Sequence, residues 1–365
     1  MTESEAYVAF NLTDRIGSAK VAALEREFGS VAAAWESDPS RTSRSGGAVD
    51  WKAEFAKAAR FGVRIITPAD EDYPASLRNA PGHPLALYVK GDASALSMPA
   101  IAMVGTRRAT PYGLDQAFRF SRDLAESGWC IVSGLALGID AESHKGALAA
   151  GGKTVGVIGS GLDMFYPEQN RELAREIVKS GGAVVSEFPF GRPPDEQTFP
   201  QRNHVVAALA SGVIAVECPS KSGTLITTGI AADLGRTVMA VPGRVDSRSS
   251  AGCLALIRDG AVLVRNARDV AEAMSELFPK QGRGKGEAGR REAGDGKREA
   301  SPAPQFSIEE SLVLRHVDAE GVAMDDLVRL TKLPAAKVNS ICMTLRVKGR
   351  LRFFPGNRVA LPREG

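Results

Sequence analysis

The sequence predicts an α/β protein built on a mainly parallel, doubly wound sheet. Between residues 100 and 265, short continuous apolar runs alternate with helix-length segments, and several runs end at glycine. Parallel strands buried on both faces require such runs, and crossover helices occupy the segments between them. Because open α/β sheets bind ligands at the carboxyl ends of their strands, the loops after these runs are the candidate sites.

Composition divides the chain further. The stretch 280–305 is rich in Gly, Lys, Arg and Glu, and it buries too little apolar surface to offset the entropy of ordering, so we expect a flexible linker. A weaker boundary of Gly, Ser and Pro lies at 91–99. We therefore expect an N-terminal helical module with a connecting segment at 1–97, the sheet domain at 98–279 and a winged helix at 306–365.

The N-terminal segment shows two short helical patterns interrupted at Gly17 and Gly29. This pattern is similar to helix-hairpin-helix or SAM-like modules, which dock proteins or DNA backbones, and an ordinary helical bundle fits it equally well. Residues 61–90 predict short strands and turns that lead into the sheet domain.

Three amphipathic helical patterns and a hairpin pattern turned at Pro355-Gly356-Asn357 predict the C-terminal winged helix. Such a third helix suits a DNA groove, but winged helices also dock proteins, so both roles remain open. Its polar and basic side chains are Lys337, Asn339, Thr344, Arg346 and Lys348.

Cysteine spacing and hydropathy limit the class of protein. No CxxC pair occurs, so we expect buried free thiols in a reducing compartment, without disulfides or zinc. The first residues lack a targeting pattern and no run reaches about 18 apolar residues, which predicts a cytoplasmic protein without a membrane partner. Since the net charge is only +3, an anion site must arise from local placement of donors. The cysteines are Cys130, Cys218, Cys253 and Cys342.

The loop Gly105-Thr106-Arg107-Arg108 follows the first apolar run. A dinucleotide fingerprint would have a second glycine in place of Arg107 and an acidic residue after the next strand, which here ends in Ser133-Gly134-Leu135. We therefore expect no NAD and no other cofactor. The loop offers free backbone N–H groups at a helix start capped by Thr110, and guanidinium groups suited to phosphate. Surface ion pairs are the alternative role of the two arginines.

Two further segments have chemistry suited to nucleic acid. In "FPQRN", a base can stack on Phe199 while Arg202 meets phosphate, a combination suited to single strands, although a buried Phe beside a surface Arg is the alternative. The fifth run is followed by a nest of N–H groups with a lysine beside it, and the absence of a Walker motif leaves ATP hydrolysis without support. The residues of this nest are Lys221, Ser222, Gly223 and Thr224.

Asp140 and His144 lie one helical turn apart. Two ligands without a third nearby are weak evidence for a metal, so we interpret Asp140 as a helix N-cap that also contacts His144. We expect no metal site.

In order, the segments "GTRRATPYG", "SGLALGIDAESHKGAL", "VIGSGLDMFYPEQN", "SEFPFG", "FPQRN", "KSGTLIT" and "GRTVMAVPG" resemble the motifs of the DNA-processing protein family DprA, also called Smf. The resemblance implies a non-catalytic protein of natural transformation that binds incoming single-stranded DNA, protects it and loads the RecA recombinase. It also implies that the sheet domain is an extended Rossmann-like fold and that a homodimer forms through it. Arg108 and Thr224 complete the candidate DNA site, whose motif-matched residues are Gly105, Thr106, Arg107, Gly134, Phe199, Arg202, Asn203, Lys221, Ser222 and Gly223.

The chain departs from this family's pattern at Glu168, Glu196 and His204, where basic residues occur in some or all members. We therefore expect DNA affinity to depend more on Arg107, Arg202 and Lys221.

Two other functions stay open. Rossmann phosphoribohydrolases carry a "PGGxGTxxE" motif whose glutamate acts on the glycosidic bond, and this chain has Thr227 at that position. An interaction adaptor would use the winged helix as its working part and the central domain only to dimerise.

Overall fold

The computed structural model describes residues 1–275 except 15, 39, 44 and 45, together with parts of the C-terminal region. Those parts are residues 312–317, 322–333, 337–338, 341–342, 345, 351–354 and 358–361. The chain forms two compact units, Met1–Arg283 and Gly284–Gly365. The linker expected at 280–305 lies outside the described residues, as do Asn339, Thr344, Arg346 and Lys348 of the third C-terminal helix.

The first unit begins with four helices: α1 (Glu3–Leu12), α2 (Ser18–Phe28), α3 (Val31–Glu36) and α4 (Trp51–Phe61). Gly17 precedes α2 and Gly29 ends it in the left-handed conformation, so the two glycines interrupt the helices as predicted. Phe10 and Trp35 pack edge to face, with ring centroids 5.1 Å apart, and hold α1 against α3.

Within the described part of this unit, nine strands form one sheet in the order β1-β2-β6-β5-β4-β3-β7-β8-β9. The pairs β1–β2 and β2–β6 are antiparallel, and the other pairs are parallel. The strands are β1 (Arg64–Ile66), β2 (Leu87–Gly91), β3 (Ala100–Val104), β4 (Cys130–Ser133), β5 (Thr154–Val157), β6 (Ala183–Ser186), β7 (Gly212–Ala215), β8 (Thr237–Ala240) and β9 (Val262–Leu263).

Helices cover both faces of the sheet. Every residue of β3 to β7 is buried, which explains why these strands appear in the sequence as continuous apolar runs. In β3, Ile101 packs in one core cluster with Phe120, whereas Ala102 packs in the cluster of the opposite face with Val205. The helices are α5 (Ala75–Arg78), α6 (Pro111–Glu126), α7 (Ile139–Ala149), α8 (Arg171–Lys179), α9 (Thr198–Leu209), α10 (Gly223–Asp233), α11 (Ala251–Arg258) and α12 (Ala267–Ser275), with 3₁₀ turns at Ala93–Ser97 and Glu168–Asn170.

The direction of winding reverses next to β3. From β3 the chain proceeds through β4, β5 and β6 on one side, and it then returns to place β7 on the other side. Loops after β3 and β7 therefore diverge and open a crevice at the carboxyl edge, where such sheets bind ligands. The boundary expected at residues 97/98 falls between β2 and β3 of this one sheet, and it stays a prediction.

The second unit is a winged helix. Its strands β10 (Val322–Ala323), β11 (Arg352–Phe354) and β12 (Arg358–Ala360) pair antiparallel in the order β10-β12-β11, beside the helix Met324–Thr331. Val313, Leu327 and Val359 belong to its core. The fold class predicted from the sequence is thus confirmed.

Two expectations about the whole chain can be compared with the described residues. The four cysteines are free and buried, as predicted. No helix in the described part of the chain has the length and hydropathy needed to cross a membrane.

Candidate nucleic-acid interface

A cavity of about 510 Å³ opens at the carboxyl edge of the sheet, beside the ends of β3 and β7. All twelve candidate residues line it, although they are spread from Gly105 to Thr224 along the sequence. They come from the loops after β3, β4 and β7 and from the first turns of α9 and α10. Whether they contact DNA stays a prediction.

Glu217, which follows β7, fixes the loop that carries the two arginines. Its carboxylate accepts hydrogen bonds from Thr110 N and Thr110 Oγ1, both at 2.8 Å, and its backbone carbonyl accepts from Thr106 N at 2.8 Å. Thr110 in turn caps α6, as predicted. Both ends of the loop are therefore held while Arg107 and Arg108 remain exposed. Glu217 was not among the predicted site residues; the signal that marks it is an acidic residue closing an apolar run.

The side chain of Arg107 contacts the ring of Phe199 in the lining of the cavity. Its guanidinium carbon lies 5.0 Å from the centre of the Phe199 ring, a cation–π contact that links the β3 loop to α9. The half-buried ring is thus covered on one face by the cation. Arg107 is predicted to contact phosphate and Phe199 to stack on a base. In the structure the two side chains contact each other and form one wall of the cavity.

Arg202 occupies the opposite environment. Its side chain is buried, and its Nη1 donates to the backbone carbonyls of Gly134 and Val157. Its Nε donates to Asn203 Oδ1 at 3.1 Å. Burial lowers the pKa of Arg202, and the nearby carboxylate of Asp140 opposes that shift. Arg202 therefore joins the ends of β4 and β5, and its predicted phosphate contact stays a prediction.

The interpretation of Asp140 as an N-cap in contact with His144 was wrong. Gly138, with a φ of 78°, precedes α7, so the chain turns two residues earlier than expected. Asp140 instead accepts hydrogen bonds from Gly134 N at 3.1 Å and Ala136 N at 3.4 Å. Burial raises the pKa of Asp140. These hydrogen bonds to Asp140 fix the backbone of the loop after β4.

His144 bonds to β5 rather than to Asp140. Its Nδ1 lies 2.7 Å from Thr154 Oγ1, which itself donates to Ile131 O, so the histidine must donate from Nδ1. Burial lowers the pKa of His144 to about 3, with the charge of Arg202 as a smaller cause. Among the described residues no group of three or more potential ligands could hold a metal ion.

The start of α10 forms the opposite side of the cavity. Ser222 caps the helix by accepting from Thr224 N at 3.2 Å, and Lys221 beside it is exposed. A Cβ built on Gly223 would meet no atom within 4 Å, so a ligand can approach the backbone there. Helix N-termini of this kind attract anions.

The three departures from the family pattern lie in different places. Glu196 lines the cavity, which adds one negative charge to it. Glu168 is exposed and pairs with Arg171 at 2.6 Å, and His204 lies against Gly82. Thr227, at the position of the hydrolase glutamate, is buried and donates to Gly223 O at 3.4 Å.

A doubly wound sheet with exposed arginines and a helix N-terminus at its switch point, joined to a winged helix, places the chain among the Rossmann-like proteins. Residues 64–275 match the family of the DNA recombination-mediator protein A, and residues 297–357 match the DprA winged helix domain. The chain therefore belongs to the DNA-processing protein family DprA/Smf.

Individual relatives agree with this assignment. Protein Smf from Synechocystis is 34% identical over 317 residues, covering 81% of this chain and 79% of that protein. The X-ray structure of DprA from Streptococcus pneumoniae gives a TM-score of 0.63 at 32% identity, covering 74% of this chain and 98% of that one. DprA from Helicobacter pylori, whose structure is described for its single-stranded DNA binding mode, gives 0.53 at 29%, covering 59% and 97%.

Proposed function

We propose that this chain is a non-catalytic protein that binds single-stranded DNA in the cavity, protects incoming DNA and loads RecA onto it during natural transformation. The observation that carries the proposal is the convergence of twelve residues, distant in sequence, on one cavity. Membership of a family with a relative described for single-stranded DNA binding supports it.

The distribution of donors favours a polyanion. Arg107, Arg108 and Lys221 are exposed, and the N-terminus of α10 opens onto the same cavity. Positive charge is therefore spread along the rim, whereas a mononucleotide site would concentrate it around one phosphate group. The half-buried aromatic wall favours single strands, in which base faces are exposed.

The first experiment measures the affinity of purified protein for a fluorescent oligodeoxythymidylate, with a duplex and mononucleotides in parallel. We expect Arg107→Ala to weaken single-strand binding by about 1 to 3 kcal/mol, because a charge-assisted contact is lost. Arg175→Ala is the matched control, since Arg175 is an exposed arginine on α8 that does not line the cavity. Affinity should also fall steeply with salt as counterions are released.

Two outcomes would contradict the site. If Arg107→Ala bound single strands as tightly as the wild type, the cavity would not be the DNA-binding site. If the affinity did not change with salt, phosphate contacts would not contribute to it. The adaptor hypothesis predicts that residues 306–365 retain all affinity, whereas we expect residues 1–279 to retain it.

We propose that the cavity carries out no reaction. The hydrolase glutamate is replaced by Thr227, whose hydroxyl donates to a backbone carbonyl of its own helix. Release of free base from AMP by the purified protein, abolished by a substitution in the 219–224 loop, would establish the enzymatic alternative instead.

RecA loading, the homodimer and the cytoplasmic location are proposed on family membership. The edge strand β9 exposes Val262 and Leu263, which supports an interface at that side of the Rossmann domain. Sedimentation of the wild type measures the dimer. Faster RecA filament assembly on DNA already coated with a single-strand-binding protein measures loading.

A further inference from the structure

The cavity, at about 510 Å³, holds only a small part of a DNA strand, so the rest of the strand must cross exposed surface. Its lining includes Arg108 from the loop before α6 and Glu196 from the segment before α9. The helices α6 and α9 lie on opposite faces of the sheet, since Phe120 and Val205 pack in different core clusters. Because phosphate is attracted by the arginine and repelled by the glutamate, the strand is expected to leave towards α6.

Tyr112 is the first aromatic ring in that direction. It lies in the first turn of α6, four residues after Arg108, and it does not line the cavity. Its side chain is 46% exposed, and its ring makes no aromatic or cation–π contact among the described residues. The hydroxyl donates to Pro242 O at 2.7 Å, at the start of the β8 loop, residues 242–250. An exposed ring that is already held in place loses little entropy when a base stacks on it.

The β8 loop lies at the same carboxyl edge as the cavity. A Cβ on Gly243 would clash with Ser250 Oγ, so the two ends of the loop come together. Just beyond it, Gly252 N donates to Cys218 O at 2.7 Å, which joins the loop to the segment after β7. The tyrosine hydrogen bond joins the loop to α6 in the same way. The loop is thus fixed beside the exposed ring.

Two exposed arginines of the β8 loop differ in their partners. Arg244 forms a bidentate ion pair with Asp246, with its Nε 3.0 Å from Oδ1 and its Nη2 2.8 Å from Oδ2. Arg248 makes no ion pair and no side-chain hydrogen bond within the described part of the chain. On α6, the turn after the tyrosine exposes Asp115, which repels phosphate and directs the strand away from that helix. The uncompensated positive charge of the loop therefore belongs to Arg248.

We infer that a single strand leaving the cavity past Arg108 continues over this outer surface, where a base stacks on Tyr112 and the guanidinium of Arg248 contacts a phosphate. The inference rests on the proposed function and adds to it two residues that lie outside the cavity. Stacking accepts every base, and a phosphate contact is independent of sequence. The outer surface thus lengthens the site without making it sequence-specific.

The first experiment compares oligodeoxythymidylates of about 4 and about 20 nucleotides, of which the short one is matched to the cavity and the long one also crosses the outer surface. Tyr112→Ala should weaken binding of the long strand about tenfold, roughly the value of one stacked base, and binding of the short strand less than about twofold. Tyr112→Phe keeps the ring and loses only the bond to Pro242, so it should bind the long strand like the wild type.

The second experiment measures the affinity of Arg248→Ala for the long strand at several salt concentrations. Loss of one phosphate contact on a single strand should weaken binding a fewfold at low salt, and it should reduce the slope of log affinity against log salt by about 0.7. Arg60→Ala is the matched control, since Arg60 is an exposed arginine of α4 without an ion pair among the described residues. Tyr112→Ala removes no charge and should leave the slope unchanged.

The outcomes separate the two proposals. The outer surface is overturned if Tyr112→Ala weakens both strands equally or neither, if Tyr112→Phe loses as much affinity as Tyr112→Ala, or if Arg248→Ala keeps the wild-type salt slope. In each of these cases, DNA binding by the wild type and its loss in Arg107→Ala still support the proposed function. A wild type that binds neither strand overturns the proposed function and the outer surface with it.

Discussion

Arg107 and Arg202 received the same prediction from the sequence, a contact with phosphate, and the structure places them in opposite environments. Arg107 is exposed and touches the Phe199 ring, whereas Arg202 is 6% exposed and bonds to backbone carbonyls. An exposed guanidinium gains little from the fold and is available to a ligand. A buried guanidinium is part of the fold, and its removal leaves polar groups without partners.

The largest expected effect tests the buried side of this comparison. Arg202→Ala should lower the free energy of unfolding by about 3 to 5 kcal/mol, because Asp140 and the carbonyls of Gly134 and Val157 lose a buried partner. Arg107→Ala should change it by less than about 0.5 kcal/mol. Urea denaturation measures both. A fully stable Arg202→Ala with lost DNA affinity would show that Arg202 serves the ligand alone.

The pH dependence of the free energy of unfolding tests the burial of His144. Its pKa is about 3 in the folded state and 6.5 ordinarily, so the unfolded chain binds the proton between these values. The stabilisation is complete above pH 6.5 and is lost as the pH falls towards 3, by about 2 kcal/mol at pH 5. His144→Asn, which keeps a donor for Thr154, should remove this part of the difference between unfolding at pH 7 and pH 5. Identical pH dependence in the two proteins would contradict it.

A smaller effect should arise where the exposed loop is anchored. Glu217→Gln replaces one acceptor facing Thr110 with a donor, so we expect a loss of about 1 to 3 kcal/mol in stability and a weaker affinity for single strands. Calorimetric melting and anisotropy measure the two effects. A loss of stability with unchanged affinity would mean that the arginine loop keeps its shape without Glu217.

Arg108→Ala should have the smallest effect. Arg108 is exposed, and only its backbone N–H has a partner described, Thr106 Oγ1 at 3.2 Å. We expect an affinity loss below about 1 kcal/mol and unchanged stability. If Arg108→Ala lost as much affinity as Arg107→Ala, the two arginines would contribute equally to DNA binding. The contact of Arg107 with Phe199 would then give it no special role.

Much of the fold could be predicted because strands buried on both faces must be apolar throughout, and β3 to β7 appear as such runs. The cavity followed from the same rule, since loops after parallel strands meet at one edge. The burial of Arg202 could not be predicted, because its partners are backbone carbonyls that any sequence supplies. Asp140 was misread for a similar reason, since the turn at Gly138 depends on its packing against Thr106 and Arg107.

The antiparallel strand β2 has a consequence for synthesis and folding. Tyr88 pairs with Ser186, nearly one hundred positions later, so β1 and β2 are synthesised well before β6, the strand with which β2 pairs. The entropy lost in closing a loop of that length opposes early pairing of β2 with β6, and contacts between distant segments slow folding. Until β6 has been made, β1 and β2 have no larger sheet to join, although both are translated earlier.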